Sequence, residues 1–209
     1  MTRRTVPIRL RLAQLARDTH GATLVEFGII LIPLCVVLLG GLDLGYQSYV
    51  RSVLQGVLND IARTGSLETP EVGCAGGGAV EEQLECAIKD RVNTIARNAT
   101  YTIEMKNFYE FSGVNRSEKL VTDHNNNGRY DPGDCWEDLN RNGVYDVEAG
   151  RIGIGGADDI VFYDVTVSMP RLVPIARFIG GSDEYRIKAQ AAIRNQPYAS
   201  QRVPQTVCG

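Results

Sequence analysis

The apolar residues of this chain fall into three patterns along its length. The first is a continuous block. Leu24 to Leu42 reads LVEFGIILIPLCVVLLGGL, with Glu26 as its only charge. With Ala22 and Thr23 it is long enough for one bilayer crossing, which takes roughly 20 residues. The second pattern is helical. Tyr46, Val50, Val53, Val57 and Ile61, flanked by Tyr49, Leu54 and Leu58, recur at three- and four-residue intervals, with Gln47, Arg51, Gln55 and Asn59 opposite. One helix from about Ala22 to Thr64 is therefore expected, half in lipid and half with an apolar stripe that needs a partner. Pro33 removes a backbone donor within it and predicts a kink. Cys35 is read as a packing residue. A second helix fits 79–98, where Val80, Leu84, Ile88, Val92, Ile95 and Ala99 share a side, after a glycine-rich loop over 65–78.

The third pattern is alternation. Tyr101, Ile103 and Met105 predict one strand, and Ile160 to Met169 another. Tyr185, Ile187, Ala189, Ala191 and Ile193 predict a third, in Tyr185 to Asn195. Pro170 and Pro174 break the chain between the last two, with a short helical turn expected at 174–179. The expected class is α+β: a long N-terminal transmembrane helix running into a small domain with a second helix and about three antiparallel strands.

Charge sharpens this division. Residues 1–21 carry Arg3, Arg4, Arg9, Arg11 and Arg17 against one acid, whereas residues 22–209 carry 17 basic and 24 acidic residues. By the positive-inside rule the head stays in the cytoplasm and everything after Asp43 is exported. The net charge of -3 argues against a nucleic-acid partner bound through a basic surface. The apolar run is long and no small-x-small site follows it, so it reads as a retained anchor rather than a secretory signal. Three parts result: a leader over 1–21, a transmembrane segment over 22–43, and an exported domain over 44–209.

Glu26 is the exception within the span, and an ionisable group at such a depth is a functional residue by default. Gly21 precedes Ala22-Thr23-Leu24-Val25-Glu26-Phe27. The basic leader, the glycine and a glutamate five residues after it resemble a type IV prepilin signal. The string GATLVEFGIILIPLCVVLLGGLDLG is similar to the TadE-like pseudopilins of the Tad (tight adherence, Flp) pilus branch, and the ending AAIRNQPY resembles them more weakly. The resemblance implies a pilin-like stem, cut between Gly21 and Ala22 by a membrane-embedded prepilin peptidase. It implies a site in the bacterial inner membrane facing the periplasm. It also implies other Tad/Flp pilins and the inner-membrane assembly platform as partners. Cleavage would leave an α-ammonium on Ala22, and the Glu26 carboxylate of an adjacent subunit could neutralise it and so set axial register.

Residues 123–149 carry a 15-residue repeat. Asp123, Asn125, Asn127, Gly128, Tyr130 and Asp131 recur as Asp138, Asn140, Asn142, Gly143, Tyr145 and Asp146. The pattern resembles the calcium loops of EF-hands and dockerin-like repeats, in which hard oxygen ligands at alternate positions wrap one cation and a glycine permits the sharp turn. In the first loop Asp123, Asn125, Asn127, Asp131 and Asp134 match ligand positions one, three, five, nine and twelve, with the Arg129 carbonyl at seven. In the second, Asp138, Asn140, Asn142 and Asp146 match, with the Val144 carbonyl at seven. Ala149 stands at twelve, so Glu148 is the expected substitute and Glu137 a weaker one. Calcium is the expected cofactor, with a structural role and modest affinity of roughly 10⁻⁴ to 10⁻³ M. His124 lies between ligand positions and is expected to point outward.

Four cysteines lie beyond the span. An even number in an oxidising compartment predicts two disulfides, with three pairings open. Cys74 and Cys86 flank one loop and are paired here, which leaves Cys135 with Cys208. With His20 and His124 as the only histidines, no Ser-His-Asp or Cys-His centre is credible, and no nucleotide motif appears. An enzyme with a small-molecule substrate is not expected. Two readings remain: a minor pilin or pseudopilin of Tad/Flp pilus assembly, or a membrane-anchored calcium-dependent adhesin or scaffold that never enters a pilus.

Overall fold

The computed structural model describes residues 20–74, 78–114, 116–173 and 180–209. The arginines of the basic leader and the helical turn expected over 174–179 lie outside the described residues.

The first helix, α1, spans His20–Gly65 and runs through Pro33 without a break. At 1.5 Å per residue its 46 residues extend about 69 Å. Its apolar first part is unburied, and Thr23–Gly65 is long and apolar enough to cross a membrane. The stripe in its second part finds its partner within the chain. Val50, Leu54, Leu58 and Ile61 are fully buried, while Tyr49 stays exposed. The buried face is thus rotated slightly from the Tyr46–Val53–Val57 line.

The second helix, α2, covers Val80–Asn93 and buries Leu84, Ala87, Ile88 and Val92. It ends earlier than the apolar period suggests. Ile95 and Ala96 continue as turns, with the Ile95 and Ala96 N–H groups both donating to Val92 O. Asn98 then takes a left-handed backbone, φ 57°, which turns the chain into the first strand. Asparagine tolerates that conformation better than most residues.

Seven strands follow among the described residues, rather than about three. They are β1 (Thr100–Phe108), β2 (Leu120–Thr122), β3 (Cys135–Asp138), β4 (Arg151–Ile152), β5 (Ile160–Pro170), β6 (Glu184–Arg194) and β7 (Gln205–Cys208). The three strands anticipated from alternation, β1, β5 and β6, are the long ones. They join β4 in an antiparallel sheet of order β4-β1-β5-β6. Tyr163, Val165, Val167 and Met169 of β5 are buried, with Tyr185, Ile187 and Ala189 of β6, beneath α1 and α2. The α+β class with a stem helix stands as expected.

A second sheet, β2-β3-β7, was not legible in the sequence. Its strands have three or four residues, too short to display a period. The interval between β2 and β3 is the first oxygen-rich loop, and β3 leads directly into the second. The two disulfides are Cys74–Cys86 and Cys135–Cys208. The second joins residues directly opposite each other in the β3–β7 register.

Where the stem meets the domain, three side chains interlock. Arg171 Nη1 donates to Asp43 Oδ2 at 2.5 Å, Tyr185 Oη donates to Asp43 Oδ1, and the Arg171 guanidinium lies 4.7 Å from the Tyr185 ring centroid. Asp43 is the first charge after the span, so this clamp fixes the sheet at the end of the apolar segment.

Candidate functional site

The repeat folds as two loops with the same backbone. Position four is left-handed in both, Asn126 at φ 53° and Arg141 at φ 61°. So is position six, Gly128 at 73° and Gly143 at 74°. Glycine takes the tighter of these turns without a Cβ clash.

The side-chain bonding repeats as well. In the first loop Gly128 N–H donates to Asp123 Oδ2 at 2.7 Å, and Asn127 N–H donates to Asn125 Oδ1 at 3.1 Å. Arg129 N–H donates to Asn127 Oδ1 at 2.7 Å. The Asn125 and Asn127 amides both donate to Asp131 Oδ2, at 2.8 and 2.6 Å. In the second loop Gly143 N–H donates to Asp138 Oδ2 at 2.8 Å, and Asn142 N–H to Asn140 Oδ1 at 3.1 Å. Val144 N–H donates to Asn142 Oδ1 at 2.7 Å. The Asn140 and Asn142 amides converge on Asp146 Oδ2 at 2.6 and 2.5 Å. Both loops therefore draw positions one, three, five and nine together, as the spacing anticipates.

The twelfth position is where the loops part. Asp134, 1% exposed, accepts the N–H of His124 at 3.0 Å and of Asp131 at 2.9 Å, the second and ninth residues of its loop. Those two backbone donors hold its carboxyl below the usual carboxylate range. The His124 side chain is largely exposed, with Nδ1 3.4 Å from Asp134 Oδ1. In the second loop Ala149 offers no oxygen. Glu148, expected to substitute, points elsewhere: its Oε1 accepts from Lys106 Nζ at 2.7 Å, because residue 148 leads into β4 beside the end of β1. Glu137 faces Lys119 at 3.9 Å. Glu118 occupies the place instead. Its Oε1 accepts the Leu139 N–H at 2.8 Å and its Oε2 accepts the Asp146 N–H at 3.1 Å, again the second and ninth residues of the loop. Burial raises the Glu118 carboxyl, opposed by these backbone donors. No signal in the sequence marks it, since it lies upstream of both loops and outside the repeat.

Between the loops sits an aromatic cluster. Tyr130 and Tyr145, the eighth residues of the two loops, stack with centroids 4.6 Å apart. Trp136 of β3 meets both edge-on, at 5.2 and 6.1 Å. The C-terminus closes the first loop from below, where Gly209 N–H donates to Asp134 O at 3.2 Å.

Among the described residues, no three His, Cys, Asp or Glu side chains are grouped closely enough to hold a metal on their own. Half the side-chain donors of each loop core are asparagine amides. The donor set is oxygen throughout, which fits a hard cation such as calcium and not zinc or copper.

At the other end of the molecule, Gly21 and Ala22 fall in the first turn of α1. Glu26 and Phe27 project outward from the helix, and among the described residues no cationic side chain pairs with Glu26.

A family model for TadE-like protein matches residues 21–63. The stem is similar to TadE-like proteins. The matched stretch begins at Gly21 and ends within the last turns of α1, so it covers the span and the buried stripe but not the sheets or loops. No curated protein and no solved structure matches the chain.

Proposed function

We propose that the chain is a TadE-like minor pilin or pseudopilin that takes part in assembly of a Tad/Flp pilus. The observation that carries this reading is the TadE-like match over 21–63, which opens on the glycine of the prepilin-type signal and includes Glu26 in register. The protein sits in the bacterial inner membrane through α1, with its domain in the periplasm. A prepilin peptidase cuts between Gly21 and Ala22, and other Tad/Flp pilins and the assembly platform are its partners. Among the described residues no cation pairs with Glu26, and the counter-charge in this reading is the new Ala22 amine of a neighbouring subunit. The role is structural and uses no small-molecule substrate.

The two loops bind calcium in this reading. Asp123, Asn125, Asn127, Asp131 and Asp134 serve the first, with the Arg129 carbonyl. Asp138, Asn140, Asn142 and Asp146 serve the second, with the Val144 carbonyl. A bound cation would take over the charge that two amide N–H groups now balance at Asp131 and at Asp146, and would stabilise the small sheet by mass action. The alternative of a calcium-dependent adhesin or scaffold outside any pilus draws on one fact, that the loops lie wholly beyond the matched stretch.

Processing separates the two. Co-expression with the cognate prepilin peptidase should yield a chain beginning at Ala22, and Gly21→Ala should reduce that product. N-terminal sequencing of native membranes that starts at Met1, or beyond Gly45, sinks the pilin reading.

A further inference from the structure

The second loop lacks a terminal carboxylate in its own sequence, and the fold brings one in. We propose that Glu118, on the segment entering β2, is the twelfth-position cation ligand of the second loop. The inference rests on the calcium reading above and deepens it.

Two independent observations point to Glu118. The first is its equivalence with Asp134. Each is a carboxylate on the same side of its loop, and each bridges the N–H groups of the second and ninth residues. The loops thus have one plan, with the closing carboxylate supplied in one case by the loop and in the other by the segment entering β2. That segment is held there by its backbone: Glu118 N–H donates to Asp146 O at 2.9 Å, and Ala149 N–H donates to Arg116 O at 3.2 Å.

The second observation is charge. Glu118 is 2% exposed and Asp138 is 4% exposed. Among the described residues, neither has a lysine, arginine or histidine partner. Buried carboxylates are paired with a cation or coordinate a metal, because an isolated charge out of water is strongly disfavoured. Asp146 Oδ2 accepts only the two asparagine amides. Glu118 and Asp138 are thus two buried acids with no protein cation among the described residues to balance them, and a divalent ion bound by hard oxygens supplies that balance.

The geometry also explains why Ala149 is tolerated. Ala149 is 2% exposed and packs against the segment that carries Glu118, so a long acidic side chain at that position would collide with that segment.

The test is calcium chloride titrated into the full chain in detergent micelles, followed by calorimetry and by the fluorescence of Trp136, the single tryptophan. The wild type should bind two ions. Glu118→Gln should weaken one site about ten-fold or more and leave the other. Glu148→Gln, which breaks only the Lys106 pair, should retain both. Two sites of wild-type affinity in Glu118→Gln, or loss of the second site in Glu148→Gln, would overturn the assignment while leaving calcium binding intact. A wild type that binds no calcium removes the calcium reading and this inference together. Should Glu118→Gln not fold, wild-type protein carrying ¹³C-carboxyl glutamate gives the answer. The Glu118 signal should shift on saturation and the Glu148 signal should not; a Glu118 signal unmoved by bound calcium refutes the role.

Discussion

Tyr163 and Tyr185 are fully buried in the sheet core, and their surroundings differ. Tyr163 Oη has no hydrogen-bond partner and lies against Gly65, whereas Tyr185 Oη donates to Asp43. Burial pushes the Tyr163 phenol up to about 12. Burial, then the bond to Asp43 and its charge, does the same to Tyr185. An unfolded tyrosine ionises near 10. Between about pH 10 and 12 the unfolded chain therefore releases these protons first, so stability is level below about 10 and falls as pH rises towards 12. Urea unfolding across that range should show the decline, and tyrosinate absorbance should lag for Tyr163 and Tyr185. Tyr163→Phe should lessen the slope without loss of neutral-pH stability, since the hydroxyl it removes has no partner. A slope unchanged in that variant would show that Tyr163 titrates normally. None of this is visible in the sequence, where Tyr163 is one apolar position in an alternating strand.

The two disulfides act on different elements. Cys74–Cys86 closes a short loop at the start of α2, with a separation of 12 residues, while Cys135–Cys208 pins β7 to β3 across 73. Chain-entropy arguments assign about 3 kcal/mol to the first and about 4 kcal/mol to the second. The structural consequence differs more than these figures do. Without Cys135–Cys208, the β2-β3-β7 sheet keeps only short ladders and the aromatic cluster. Paired alanine replacement at Cys135 and Cys208 should release that sheet alone, seen as a red-shifted Trp136 emission and protease cleavage within 123–149, while α1, α2 and the larger sheet hold. Replacement at Cys74 and Cys86 should lower the melting temperature with Trp136 unmoved. Equal effects of both pairs on Trp136 would contradict this independence. Element identity in the larger sheet was open to reading because strands of 9 to 11 residues show their alternation. The smaller sheet was closed to it because strands of three or four residues do not.

For the whole molecule, the consequential charge is Glu26. It projects from the apolar helix with no partner among the described residues, while the domain is clamped to the stem at Asp43 and along Val50, Leu54, Leu58 and Ile61. Removing it should leave fold and insertion intact, because among the described residues it holds nothing in place. Glu26→Ala should still reach the membrane and be at least partly processed, yet fail to support pilus formation. Normal piliation of that variant would end the electrostatic register argument.

Sequence periodicity was sufficient for the stem helix, the second helix, the long strands and the α+β class, since burial of one face imposes a period on neighbouring residues. Local spacing was likewise sufficient to mark the tandem loops, because alternate ligand positions and a glycine turn are set within a dozen residues. Glu118 and the clamp of Asp43 with Arg171 and Tyr185 were decided by tertiary structure alone. Their partners are separated by 20 residues or more in the sequence, and a carboxylate carries no mark of which distant backbone will close around it. Glu148 shows the same rule from the other side: one residue from the loop's twelfth position in sequence, it is drawn away to Lys106 where β4 pairs with β1.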